Sequence, residues 1–253
     1  MNHGSIDSTM LKSTFIHIPG IGQDKEQMLW QNGIKSWDEF LNNSIDCLPK
    51  QTLEYIEKNV RISKSQYARR NHKFFSECLP VKEQWRAYPD FKTCFLDIET
   101  TGLSRHRNKI TTIGLYDGED SKIFIRHRNM EDFPEVIKDY NTIVTFNGRR
   151  FDIPFILEKF PGLILDQLHI DLMYVLRELG LTGGLKRIEK HLGISRDDEI
   201  DGVDGYQAVR LWHKYRKGDE TALKKLVAYN LADVENLKIL MDLAFDRKKQ
   251  LIR

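Results

Sequence analysis

The chain has 253 residues and a mass of 29.7 kDa, with 40% hydrophobic and 30% charged residues. That balance excludes collagen-like, low-complexity and extensively disordered chains, and no run approaches the ~18 consecutive apolar residues of a membrane helix. The 39 basic and 37 acidic side chains leave a net charge of +2, too small to point to a polyanionic partner by itself.

Residues 1–9, MNHGSIDST, read as a flexible polar tail without the apolar run of a secretory signal, and Met10 is an equally good start. Cys47, Cys78 and Cys94 form no C-x-x-C pair, and their odd number fits a reducing, cytoplasmic setting. Residues 10–80 read as a small helical region. Pro19-Gly20-Ile21-Gly22 makes a tight turn, and a helix is predicted over 23–32, ended by Gly33 in the left-handed region. Ser36 and Glu39 form an S-x-x-E capping box that opens a second helix at Trp37. Further helices are predicted over 50–60 and 63–79, and Pro80 and Pro89 mark a linker over 81–91.

From residue 92 the pattern changes. Thr93–Ile98 is a short apolar run consistent with a buried strand. Strands are also predicted at 109–116 and 121–127, joined at Asp117-Gly118, then at 142–146 and 168–172. Helices are predicted at 131–139, 151–160, 185–192, 205–217 and 219–245. Leu226, Asn230, Val234 and Leu237 form one stripe of the last helix. Strands followed by strand–helix alternation argue for an α/β domain over 92–253 with a mixed sheet flanked by helices.

Three acidic features carry chemistry. Asp97 and Glu99 alternate with Leu96 and Ile98, so both carboxylates face one side of a strand. Two acids there repel each other and call for a positive charge, although D-x-E alone also describes two solvated acids. Asn147-Gly148-Arg149-Arg150-Phe151-Asp152 begins where a strand ends, which is where α/β sheets place their sites. Asp152 there also reads as an ordinary acid in the first turn of a helix. Tyr229 and Asp233 lie four residues apart on one helix face turned partly inward. Asp233 then needs a cation, a donor, or a salt bridge to a distant lysine or arginine.

FLDIETTGL, N-x-x-x-F-D and Y-x-x-x-D, in this order, resemble the three motifs of the DEDD superfamily of 3′–5′ exonucleases, whose fold is ribonuclease H-like. The tyrosine matches the DEDDy branch; the histidine branch would place His where Ala228 stands. The whole chain is most similar to the YprB-like branch. The resemblance implies that Asp97, Glu99, Asp152 and Asp233 hold two Mg²⁺ ions, with Mn²⁺ as a substitute, and that Tyr229 orients the attacking water. It implies that Thr100, Thr101 and Leu103 hold the 3′-terminal nucleotide of DNA or RNA. Asn147, Arg149, Arg150 and Phe151 belong to the second motif, and its two arginines are placed to meet a substrate phosphate. A structure-specific endonuclease on the same fold, and a non-catalytic nucleic-acid-binding module, are the competing readings.

Ile18–Gly22, the following helix and Gly33-Ile34 resemble a helix-hairpin-helix element, although MLKSTFIH over 10–17 makes a poor first helix. Gly20, Gly22 and Lys25 would meet a phosphate backbone there. The acid-free run from Lys58 to Ser76, with Arg69 and Arg70, is a second candidate handle; a helical appendage with a solvated basic face is the alternative. His169 and Asp171 read as a satisfied core histidine and a helix cap, or as support for the metal shell. Asp197, Asp198, Glu199, Asp201 and Asp204 lack EF-hand spacing and read as a solvated loop. Cys94, Phe155 and Trp212 read as core residues.

Overall fold

The computed structural model describes residues 10–200 and 202–252; the tail assigned to 1–9, and Asp201 of the acid-rich loop, lie outside the described residues. The chain divides into two compact units. One runs to Phe91 and takes in Asp166–Leu168; the other holds Lys92–Leu165 and the chain from His169 onward.

The first unit contains α1 (Gln23–Gln31), α2 (Trp37–Asn42), α3 (Lys50–Ala68) and α4 (His72–Cys78). Gly33 ends α1 at φ +81°, a conformation cheap only for glycine. Ser36 accepts the Glu39 N–H at 3.2 Å, while the Glu39 carboxylate accepts the Lys35 N–H at 2.6 Å, one residue earlier than a strict capping box. Three expectations change here. The helix predicted to break near 61–62 is continuous through 19 residues, because Ile56, Val60 and Ser63 keep one buried face. The break falls at Arg70, φ +55°, before Asn71 caps α4. Residues 10–18 form hydrogen-bonded turns, such as Ile18 N–H to Phe15 C=O at 3.0 Å, so among the described residues no helix precedes the Pro19-Gly20 turn of the expected helix-hairpin-helix. Residues 81–91, expected as a linker, carry a 3₁₀ helix over Val81–Ala87 and bury Trp85, Ala87, Tyr88 and Phe91. Those apolar side chains cannot be left in water without cost, so the segment packs instead of spanning. The core gathers Phe15, Leu29, Trp37, Ile56 and Phe75, with Trp37 and Phe75 stacked at 6.2 Å.

The second unit is built on a five-stranded mixed sheet of order β3-β2-β1-β4-β5. The strands are β1 (Thr93–Thr100), β2 (Ile110–Tyr116), β3 (Ser121–Ile125), β4 (Thr142–Thr145) and β5 (Leu168–Asp171). β1 pairs antiparallel with β2 and parallel with β4. The β2–β3 turn is longer than Asp117-Gly118 alone, with Asp117 accepting the N–H groups of Glu119 and Asp120. The flanking helices are α5 (Phe133–Ile137), α6 (Asp152–Lys159), α7 (Leu172–Glu178), α8 (Leu185–Leu192), α9 (Gly205–Tyr215) and α10 (Glu220–Ile252). This is the expected α/β ribonuclease H-like architecture preceded by a helical region. The helix α7 was not anticipated; it starts immediately after β5. One core packs Leu96, Ile98, Ile113, Phe133 and Phe155, another Trp212, Leu226 and Tyr229. Among the described residues no helix is long and apolar enough to cross a membrane.

Candidate metal centre

β1 extends beyond its parallel partner. Its register with β4 covers Thr93–Phe95, and the Ile98 N–H beyond that end donates to the Asp152 carboxylate at 3.2 Å. Asp152, the first residue of α6, therefore closes an open position of the sheet. Asp97 and Glu99 lie on one face of the same stretch, opposite Gly114 and Thr112 of β2. Asp233 reaches them from α10, and carboxylate oxygens of Asp97, Glu99 and Asp233 lie within 4.8 Å of one another. Glu99, Asp152, Tyr229 and Asp233 are all buried. Three of the four predicted ligands thus converge as a triad; the fourth, Asp152, adjoins it with one oxygen already engaged.

Asn230 fixes the orientation of Asp97. Its amide donates to Asp97 Oδ2 at 2.8 Å and to the Asp97 carbonyl at 3.3 Å, while its own carbonyl accepts the Thr112 hydroxyl at 2.9 Å. Gly114 makes room for this amide: a Cβ there would lie 3.1 Å from it. Sequence reading placed Asn230 on an apolar helix stripe. Its signal was an amide at a position that must be buried, which needs partners.

The positive charges were also missed. Arg196 donates to Asp233 at 2.5 Å and, through two nitrogens, to Glu189 at 2.6 and 2.8 Å. Asn236 braces Glu189 at 3.0 Å. The salt bridge that sequence reading left open for Asp233 is therefore made. Arg196 immediately precedes Asp197-Asp198-Glu199, and nothing local marks it as inward-facing. Gly193, in the left-handed region at φ +72°, ends α8 and turns the chain back. Lys186 lies 4.4 Å and Arg196 5.5 Å from the Tyr229 ring centre.

These neighbours set the protonation states. Burial, then the charges of Asp233 and Asp152, pushes the Asp97 and Glu99 carboxyls well above the usual carboxylate range. Burial raises Asp152 to about 7. It also raises Asp233, against the pull of Arg196. Burial and the surrounding carboxylates raise the Tyr229 phenol, which keeps its proton at neutral pH. Carboxylates held this close are hard oxygen donors that suit a divalent cation such as Mg²⁺, which would relieve their repulsion.

The second-motif loop is clamped by Asp171. Its carboxylate accepts the N–H groups of Asn147 at 2.7 Å and Arg149 at 3.2 Å, and it caps α7 through Met173 N–H at 3.2 Å. Asn147 sits at φ +61°. The Arg149 guanidinium donates to the His169 carbonyl at 2.7 Å, so part of it is spent internally, whereas Arg150 is exposed and Phe151 half-buried. His169 meets the Thr145 hydroxyl at 2.9 Å, and burial lowers its pKa to about 3, consistent with a neutral core histidine. Cys94, Phe155 and Trp212 are core residues.

At the rim, the Thr100 hydroxyl donates to Gly102 C=O at 2.8 Å, and the Thr101 hydroxyl to Asn108 at 3.2 Å. Both threonines shape the turn, which leaves Leu103 87% exposed. In the other unit, Gly20, Gly22 and Arg69 are exposed, and Lys25 donates to Gly20 C=O at 2.9 Å. Arg70 is tied to the Asp90 carbonyl at 2.6 Å, Arg61 to Glu57 at 2.8 Å, and Lys64 to Asp38. The basic run is therefore partly neutralised by its own unit.

A comparison with curated proteins finds no match. Among solved structures, the chain is similar to the family B DNA polymerase of the hyperthermophilic archaeon Pyrobaculum calidifontis (17% identity, TM-score 0.49, covering 63% of this chain and 24% of that one). It is also similar to Brucella melitensis NrnC bound to pGG (17% identity, TM-score 0.42, 62% and 75% covered). A third is Escherichia coli RNase D, an exoribonuclease involved in structured RNA processing (19% identity, TM-score 0.40, 68% and 47% covered). The chain thus spans about a quarter of the polymerase and about half of RNase D. A family model for the RNase_H superfamily matches residues 94–245, the stretch from β1 into α10 that holds Asp97, Glu99, Asp152, Asp171, Glu189 and Asp233. The chain belongs to the ribonuclease H superfamily.

Proposed function

We propose that this chain is a metal-dependent 3′–5′ exonuclease of the DEDDy type, in the YprB-like branch, which releases nucleoside 5′-monophosphates from DNA or RNA in the cytoplasm. One observation carries the reading: Asp97 and Glu99 of β1 and Asp233 of α10 bring carboxylate oxygens within 4.8 Å of one another, and Asp152 of α6 adjoins them through the Ile98 N–H. Their order and the tyrosine four residues before the last acid support the subtype.

Asp97, Glu99, Asp152 and Asp233 would hold the ions. A pair of divalent cations would stabilise the attacking and leaving oxygens of an in-line displacement. Asn230 holds the Asp97 carboxylate in place, so little reorganisation is needed when a substrate arrives. Tyr229 stays protonated and can orient a water but not deprotonate it. Leu103, exposed at the rim, offers an apolar face to the terminal base, and Arg150 a free charge to a phosphate. In the N-terminal unit, Gly20, Gly22, Lys25 and Arg69 remain candidate backbone contacts, although among the described residues no helix precedes the Pro19-Gly20 turn.

The decisive variant is Asp97→Asn. Release of mononucleotides from a 3′-labelled strand with Mg²⁺ should fall by about 10³-fold or more, with circular dichroism unchanged. Activity at the wild-type level would remove the assignment, and cleavage of a circular substrate would replace it with an endonuclease.

A further inference from the structure

Arg196 brings a permanent positive charge to a pocket suited to metal cations. Its side chain is only 6% exposed and contacts Asp233, a member of the acidic triad. It does not depend on Asp233 for its place. Two of its nitrogens meet the Glu189 carboxylate, and Asn236 holds Glu189 from the other side. If Asp233 turned away, the guanidinium would keep its anionic partner and no buried charge would be orphaned. An arginine, unlike Lys186, also keeps its charge throughout the accessible pH range.

We propose that Arg196 is the resident counter-cation of this cluster: it neutralises Asp233 until a divalent ion binds, and so sets the affinity of the site for that ion. The inference rests on the metal-dependent reading above and deepens it. The charges make the argument. Ionised Asp97, Glu99, Asp152 and Asp233 carry −4, Glu189 adds −1, and Arg196 and Lys186 add +2, leaving −3. Removing the guanidinium charge deepens that to −4. In a water-poor pocket the interaction is weakly screened, so an entering divalent ion feels the change directly.

The test uses the full chain and Mn²⁺ alone, without substrate, by isothermal titration. Arg196→Gln should bind Mn²⁺ about tenfold more tightly than wild type or better, a gain of about 1.4 kcal/mol. Arg196→Lys, which keeps the charge, should bind like wild type; binding like Arg196→Gln would overturn the proposal. Because Arg196→Gln strips Glu189 of its partner, the double variant Glu189→Gln with Arg196→Gln serves as a control: the count returns to −3, so it should bind Mn²⁺ like wild type, and binding as tight as that of Arg196→Gln would overturn the proposal. A second readout is the melting temperature. Arg196→Gln should melt below wild type in EDTA, and saturating Mn²⁺ should close the gap. A gap indifferent to Mn²⁺ would mark Arg196 as merely structural and overturn the proposal. Mn²⁺ binding by Arg196→Gln equal to or weaker than that of wild type would also overturn it while leaving the metal site standing. Absence of Mn²⁺ binding in every protein, wild type included, would remove the metal reading as well.

Discussion

Tyr229 is surrounded by carboxylates, and that surrounding decides its chemistry. A phenol whose proton is held by burial and by Asp233, Glu99 and Asp97 is a poor base at neutral pH. Tyr229→Phe should lower kcat by about 10- to 100-fold and leave KM within about twofold. An equal rise in KM would show a binding role instead. Asn230→Leu removes the donor that orients Asp97, and Mn²⁺ affinity by titration should weaken about 10- to 100-fold, as for other residues that orient metal ligands. Unchanged affinity would show that Asp97 is held without it. At this scale the acids were legible because D-x-E on a strand and Y-x-x-x-D on a helix fix which side chains share a face. Asn230 was hidden by its apolar neighbours. Arg196 and Lys186 were hidden because long side chains reach across the fold, and no local spacing records where they end.

Between β4 and α6 the backbone does work that side-chain patterns do not reveal. Gly148 passes so close to β4 that a Cβ would stand 2.3 Å from Thr145 Oγ1, and Thr145 is a buried strand residue with nowhere to retreat. Gly148→Ala should therefore displace the Asn147–Asp152 turn, cost about 1–3 kcal/mol of stability and depress cleavage. A melting temperature equal to wild type would show that the turn can relax. Elements of the second unit were readable because their periodicity changes cleanly, from strand to helix and back. In the first unit the errors have a common cause. Pro80, Pro89 and the β-branched run before Pro19 suggest punctuation, but whether a segment packs is decided by partners distant in sequence. Hence the supposed linker buries Trp85 and Phe91, whereas residues 10–17, read as a poor first helix, are indeed a series of turns.

The whole molecule carries nearly balanced charge, yet its acids are concentrated, and that gives its stability a pH signature. The site carboxyls have folded pKa values raised above their unfolded values, Asp152 to about 7. Metal-free folded protein therefore holds protons that the unfolded chain has released above about pH 4, and stability from this site declines as pH rises above that, for Asp152 through about 7. His17 works oppositely: burial lowers it to about 3, so its contribution is lost as pH falls below about 6.5. Divalent ions compete with protons for the carboxylates alone. The gain in Tm on adding Mg²⁺ should thus be small near pH 5 and larger at pH 8, above the Asp152 value of about 7. A gain of the same size at both pH values would contradict the shared acidic pocket. The architecture itself was legible, since alternation of strands and helices admits few arrangements.

Asp97 and Glu99 stand two residues apart on one strand, with Cα atoms about 6.7 Å apart. β2 holds that stretch along one edge, and the Asp152 carboxylate grips Ile98 from the other. Neither acid can drift without tearing the ladder. Asp233 is different, because it reaches the cluster from a helix and is held there by Arg196, not by a ladder. Accommodation of a larger or smaller ion should consequently fall to the helix-borne acids, Asp152 of α6 and above all Asp233 of α10. A reporter group on that helix would register ion radius, whereas one on β1 would stay silent.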